Sequence, residues 1–233
     1  MKIAIMQPYF LPYIGYWQLI NCVNKIVIYD NVKYTKKGWI NRNRLLLSEK
    51  STYFTIPLKK GSDYLDIKDR EVSKRWKLDR IKILNKINVN YKKSPNFNVV
   101  YSLVESIFFY EESNLYKFLA YSIKKISKFL DIKTTIIKSS EINIRHDLKL
   151  TRKILAICKE LNANIYVNPY GGKSLYNKGH FKDNQIDLLF LRSNKIEYDQ
   201  FGKGFEPSLS IIDVLMFNNI KAVKSYLNKY QLI

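Results

Sequence analysis

"KIAIMQPYFLPYIGYWQLINCVNKIVIYD", Lys2–Asp30, decides the fold. Two short β-branched runs, "KIAIM" and "KIVIYD", are each followed by polar or turn residues, as expected of buried strands in an α/β sheet. Between them "GYWQLINCVN" places Trp17, Ile20 and Val23 at helical spacing, with Leu19 beside them. The chain therefore opens with a strand, a loop, a helix and a second strand. The loop, Gln7 to Tyr16, holds Pro8, Pro12 and Gly15 among aromatic residues. It falls where open α/β sheets bind ligands, outside the carboxyl end of a strand and before a helix.

Downstream, "WINRNRLLL" and "TYFTIPLKK" read as strands, with Pro57 confining the second to an edge or strand end. From about 73 to 130 the pattern turns helical. "SKRWKLDRIKILNKINVNYKK" places Trp76, Leu78, Ile81, Leu84 and Ile87 on one broad face, and "VVYSLVESIFF" and "NLYKFLAYSIKKISKFLDI" supply two more helices. Alternation then resumes with "TTIIKSS", "DLKLTRKILAICKELN", "NIYVNP", "IDLLFLRS" and a terminal helix from "SIIDVLMFN". This pattern predicts one α/β domain over 1–233, a mostly parallel Rossmann-like sheet with helices on both faces and a helical insertion at about 73–130.

The chain has 233 residues, with 40 Lys+Arg against 20 Asp+Glu, a formal charge of +20. Such a field attracts nucleic acid, anionic membrane surfaces and phosphorylated metabolites alike. The excess is spread along the chain in company with abundant Asn and Ile, and no zinc-finger, helix-turn-helix or RNP-type signature gives it an address. The longest apolar runs are too short to span a bilayer, and the N-terminus has no apolar stretch of signal-peptide length, so a cytoplasmic protein with no membrane insertion is expected. Cys22 and Cys158 form no CxxC or Cys/His cluster, which predicts buried free thiols and no metal site.

Three polar, aromatic-rich loops, the opening stretch, "DNVKYTKKGWINRNR" and "NPYGGKSLYNKGHF", follow predicted strands and would converge on one rim. In "YDNVKYTKKGWINRN", Asp30 is a candidate base or turn cap, Lys37 and Arg42 are candidate phosphate ligands, and Trp39 is a stacking surface. In "NPYGGKSLYNKGHF", Gly171, Gly172 and Lys173 form a glycine-permitted turn that would suit an anion, although the P-loop spacing is absent. His180 in the same stretch is a candidate general base. In "FEPSLSIIDVLMFN", Ser208 or Ser210 would cap a helix with Asp213 in its first turn, or its amide end would bind an anion.

Together, "QPYFLPYIGYWQLIN", "KIVIYDNVKYTKKGWINRNR", "FTIPLKK", "NPYGG" and "PSLSIIDVLMFN" resemble the WbqC-like protein family. The resemblance implies an enzyme of bacterial surface-polysaccharide biosynthesis, including O-antigen, acting as an acyl or aminoacyl (glycyl) transferase on a nucleotide-linked amino sugar. It implicates Gln7, Tyr9, Pro12, Gly15, Tyr16, Asp30, Lys37, Trp39, Asn41, Arg42 and Asn43, with Ser210 and Asp213. The acyl donor stays open among a thioester, an adenylate and an aminoacyl-tRNA, the last giving the basic surface a use; no cofactor is implied. The alternative is a non-catalytic nucleic-acid or tRNA-binding protein. The opening loop alone is similar to that of HIGH-type nucleotidyltransferases, with Tyr13 and Tyr16 where histidines would stand. A phenol with pKa near 10 replaces imidazole poorly, so this likeness implies nucleotide binding rather than nucleotidyl transfer.

Overall fold

A computed structural model describes residues 1–202 and 204–233. Strand β1 (Lys2–Met6) runs through the ligand-loop position into helix α1 (Ile14–Asn21) and returns as β2 (Lys25–Ile28), parallel to β1 with Ala4 opposite Ile26. The sheet continues with β5 (Thr135–Lys138), β6 (Ile165–Pro169), β7 (Asp187–Ser193) and β8 (Tyr230–Leu232), in the order β5-β2-β1-β6-β7-β8. All neighbours pair in parallel except β7 and β8. The fold is α/β and Rossmann-like, as the alternation predicts.

Strand alternation sends side chains to both faces. Ile3, Ile5, Val27, Tyr166, Leu188 and Phe190 pack on one side against Ile154, Ile157 and Cys158 of helix α5 (Leu150–Glu160). Ala4, Ile26, Ile28 and Val167 face the larger core on the other side, which holds α1. Both cysteines are buried free thiols.

Between β2 and β5 lie a hairpin, β3 (Arg42–Leu47) and β4 (Lys50–Thr55), and helices α2 (Trp76–Tyr91), α3 (Phe97–Phe108) and α4 (Leu115–Phe129). The hairpin forms its own two-stranded sheet and does not join the parallel one. It buries Asn43 opposite Phe54 and turns Arg44 and Tyr53 outward. The buried face of α2 differs from the expected one: it reads Trp76, Arg80, Leu84, Ile87 and Tyr91, while Leu78 and Ile81 are exposed. Arg80 makes this register workable, because its guanidinium donates to the Phe108 carbonyl (3.3 Å) and pairs with Glu111 (2.9 Å). A cation with partners is buried where an aliphatic residue stays in water.

The chain continues past β6 through a 3-10 turn at Tyr170–Leu175 to α6 (Lys178–Lys182), and past β7 to α7 (Ile211–Phe217). The expected terminal helix is two short helices, α7 and α8 (Ile220–Tyr226), broken at Asn218 and Asn219 and followed by β8. Asn219 caps α8 by accepting from the Ala222 amide at 2.9 Å, which explains the break.

Candidate functional site

Strand order reverses at β1, with β2 on one side and β6 on the other. A crevice opens at such a reversal because the loops leaving the two carboxyl ends travel in opposite directions. The loop after β1 forms one wall, and its shape comes from carbonyl groups that buried donors hold. Tyr16 Oη donates to Gln7 O (2.9 Å) and Trp17 Nε1 to Pro12 O (2.9 Å). Asn43 Nδ2 donates to both Phe10 O and Leu11 O at 2.9 Å, Ser210 Oγ to Leu11 O at 2.7 Å, and the Ile211 amide to Pro12 O at 3.1 Å. Leu11 has φ of 45°, a left-handed conformation that this clamp supports. Tyr16, Asn43 and Ser210 therefore shape the loop, and of the three only Ser210 lies outside the cavity and hollow described next.

A cavity of about 660 Å³ lies over the carboxyl ends of β1, β6 and β7. Its walls include Tyr9, Tyr13 and Gly15 from the first loop, Trp39 from the second, Asn168 to Gly172 from the third, and Arg192 at the end of β7. A smaller hollow of about 230 Å³ shares Tyr9, Tyr13 and Trp39 and adds Pro12, Asn43 and Ser208. The cavity volume falls in the usual range for small-molecule sites. Arg192 reaches over the Tyr170 ring at 5.1 Å, and no ion pair engages it among the described residues. Sequence reasoning missed Arg192, Tyr170 and Asn168 as site residues. Their place at the carboxyl ends of the predicted strands "NIYVNP" and "IDLLFLRS", or just beyond, was the available signal.

The three loops thus converge, but not every candidate follows them. Tyr9, Pro12, Gly15, Tyr16, Trp39, Asn43, Gly171 and Gly172 line the cavity or its side hollow. Gly15 is bare for a reason different from the expected one: a Cβ there would lie 2.5 Å from the Tyr13 ring, so the glycine makes room for Tyr13. Gln7 is half-buried, and its carbonyl receives Tyr16. Asn41 is buried between Tyr34 Oη and the Ile56 carbonyl, each at 2.8 Å.

Asp30 is fully buried, and its carboxylate is occupied by donors. It accepts from Ser139 Oγ (2.7 Å), Ser140 Oγ (2.7 Å) and the Ser140 amide (2.9 Å), tying β2 to the turn after β5. That arrangement fits the turn-capping reading of Asp30 and leaves it outside the cavity lining. Arg42 donates to the carbonyls of Gly38 (3.1 Å) and Lys37, stapling its own loop. Lys37 is exposed with φ of 62°. Lys173 is exposed beside Tyr170 but does not line the cavity. His180 is on α6, in a separate hollow of about 760 Å³ with Arg145 and Arg152 beside α5, away from the strand ends that build the crevice. Ser210 is fully buried and caps α7, and Asp213 is buried behind it, so neither presents an anion site to solvent.

Among the described residues that line the cavity there is no carboxylate, histidine, cysteine or lysine. Burial raises the phenols of Tyr9 and Tyr13, with Tyr13 adding to the effect at Tyr9, and burial drives Tyr16 far above the ordinary range. At neutral pH the lining therefore offers hydrogen-bond donors, ring faces and one cation. Of the two tyrosines in the histidine positions, only Tyr13 has its hydroxyl free of the loop clamp.

Gly172 makes the third loop testable. A Cβ at Gly172 would lie 2.2 Å from Asn168 Nδ2, whereas one at Gly171 meets nothing within 4 Å. Asn168 is buried and held by Tyr166 Oη and Pro169 O, each at 3.1 Å. Gly172→Ala is expected to cost about 1–3 kcal/mol of stability in chemical denaturation, the usual price of overpacking. Gly171→Ala is expected to be neutral in the same measurement.

A sequence model of the WbqC-like protein family matches residues 7–225. The chain is also 28% identical over 221 residues to a Mycobacterium tuberculosis (strain ATCC 25618 / H37Rv) protein described as uncharacterized protein Rv1507c, covering 93% of each chain. No solved structure matches it.

Proposed function

This chain belongs to the WbqC-like protein family, and from that premise we propose that it is a cytoplasmic transferase of bacterial surface-polysaccharide biosynthesis. Its reaction is acyl or aminoacyl (glycyl) transfer to the amino group of a nucleotide-linked amino sugar. The observation that carries this reading is the aromatic cavity at the sheet's reversal point, with one unpaired guanidinium at its rim. Trp39 and Tyr170 offer faces for a base or a sugar ring. Arg192 suits a diphosphate, to which its fork can bind in bidentate fashion.

The chemistry asks for orientation more than for a strong base. A neutral amine attacks an activated acyl carbonyl, the C–N bond forms, the bond to the leaving group breaks, and the amine proton passes to water at the open mouth. Tyr9 and Tyr13 hydroxyls are the candidate donors to the oxyanion that develops. Asp30, in the seryl cage that holds its carboxylate, is better placed to support the rim than to take that proton. The donor is a thioester, an adenylate or an aminoacyl-tRNA.

The test incubates the full chain with a UDP- or dTDP-linked amino sugar and each activated glycyl donor in turn, and reads the sugar nucleotide by mass spectrometry. A mass increase of one glycyl group, absent with the corresponding sugar nucleotide lacking the amine, is the expected result. Unchanged acceptor with all three donors, despite saturable binding, overturns the transfer reading.

A further inference from the structure

We propose that the outward face of the β3–β4 hairpin binds a single-stranded nucleic acid by base stacking. Four side chains there form a ladder, two adjacent rings between two guanidinium groups. The Arg42 guanidinium lies 4.6 Å from the Tyr53 ring centroid, Tyr53 stacks against Trp39 at 6.1 Å and 27°, and Arg44 lies 5.8 Å from the Trp39 ring. Tyr53 is 51% exposed and Trp39 37% exposed, so ring surface stays open to solvent. Exposed aromatics flanked by guanidinium groups, here Tyr53 on β4 and Trp39 in the loop before β3, are what a base-stacking platform requires.

The ladder is preset. Arg42 is fastened to the Lys37 and Gly38 carbonyls, and Arg44 donates to Pro207 O (3.4 Å) and Ser208 O (3.3 Å). Little side-chain freedom is left to lose on binding. The surroundings favour a polyanion. Lys37 precedes the hairpin, Lys50 begins β4 and Lys60 follows it, none with an ion pair among the described residues, in a chain of net charge +20; of the ladder's cations Arg44 is paired, with Glu206 at 3.6 Å. Backbone phosphates would meet the lysines while bases meet the rings. A duplex hides its base faces inside its own stack, which selects a single strand.

The platform also has a direction. Trp39 belongs both to the ladder and to the cavity wall, whereas Tyr53 belongs to the ladder alone. A strand stacked on Tyr53 and then Trp39 would end at the cavity mouth. This inference shares only Trp39 with the sugar-nucleotide reading, and Tyr53, on which its test turns, lies outside the cavity lining.

The experiment titrates the full chain into fluorescein-labelled single strands of about 12 nucleotides, a length comparable to the sites of known single-strand binders. RNA and DNA strands are run beside a duplex of the same sequence, with anisotropy read over a salt series. Binding of either single strand at least about tenfold tighter than the duplex is expected, with a negative salt slope. Tyr53→Ala should weaken it by about 5–100-fold, the range for loss of one stacked base, with the melting temperature and the salt slope retained. Tyr53→Phe, which keeps the ring, should bind as the parent does. Trp17 and Trp76 are buried, so quenching of tryptophan emission on binding reports Trp39. Equal affinity for duplex and single strand, or Tyr53→Ala within twofold of the parent, overturns the proposal and leaves charge alone. Absence of binding at low salt overturns it outright.

Discussion

Asp213→Ala is expected to destabilise the fold by roughly 3 kcal/mol or more, the largest single effect among these predictions. The carboxylate is fully buried and accepts three hydrogen bonds of 2.7 Å, from Tyr91 Oη, Tyr198 Oη and Gln200 Nε2. Those donors come from different parts of the chain: α2, and the segment that follows β7. Tyr91 in turn accepts the Leu46 amide at 2.9 Å, and Gln200 Oε1 accepts the Glu206 amide at 2.8 Å. Removing the carboxylate leaves the buried Tyr91 hydroxyl and the half-buried Tyr198 hydroxyl without their acceptor, while Gln200 Nε2 keeps the Glu206 carbonyl at 3.2 Å, and each unsatisfied group costs about 1–3 kcal/mol. At about 2–4 °C per kcal/mol for a chain of this size, the melting temperature should fall by roughly 6–12 °C.

Asp213→Asn separates geometry from charge. Burial raises the Asp213 carboxyl above its ordinary value, against the lowering effect of its three donors. A raised folded value means that the native state holds its proton more tightly than the unfolded chain. The associated stability is therefore fully present below the unfolded value, and it is lost as pH rises through the window between the two. The asparagine variant lacks that titration, so its deficit against the parent should shrink as pH rises across the window in paired denaturation curves. A deficit that does not change with pH would mean that Asp213 is not perturbed in the fold.

The opening unit was legible because its two strands carry continuous β-branched runs and its helix a plain 3.6 period. The face of α2 was not. Its sequence offers two overlapping apolar stripes, and the choice between them rests on Glu111 and the Phe108 carbonyl, thirty residues away, which make Arg80 burial acceptable. β8 was hidden by its brevity: three residues, Tyr230–Leu232, pair because β7 presents an edge, not because of their own pattern.

The site divides in the same way. Convergence of three loops follows from strand alternation, which local sequence reports well. Which polar side chains on those loops stay free does not, since it depends on distant partners. Asp30 and Arg42 have the right chemistry for a site and spend it on Ser139, Ser140 and the 37–38 carbonyls. Asn43 holds the Phe10 and Leu11 carbonyls and Ser210 the Leu11 carbonyl, so both spend their polar groups on the shape of the loop. Arg192 has no motif around it, and only the order of the sheet brings it to the rim.

Arg192→Ala is accordingly expected to weaken binding of a nucleotide-diphosphate sugar by about 10–150-fold, the loss of a charge-assisted contact worth about 1.5–3 kcal/mol. Calorimetric titration with a UDP- or dTDP-amino sugar measures it. Arg192 is exposed and makes no ion pair among the described residues, so its removal should leave stability within about 0.5 kcal/mol of the parent. Two comparisons make the result specific. Lys173 also approaches the Tyr170 ring, at 5.7 Å, yet lies outside the cavity lining. Lys173→Ala should thus change affinity by less than about twofold, the residue of a solvent-screened charge. Arg192→Lys keeps the charge but not the planar fork, so it should fall between the parent and the alanine variant. Equal losses in Arg192→Ala and Lys173→Ala would show that the general positive field, and not this guanidinium, draws the ligand. A full loss in Arg192→Ala confined to ligands that carry the diphosphate places the phosphates at the end of β7, and with them the sugar beneath Tyr9 and Tyr13.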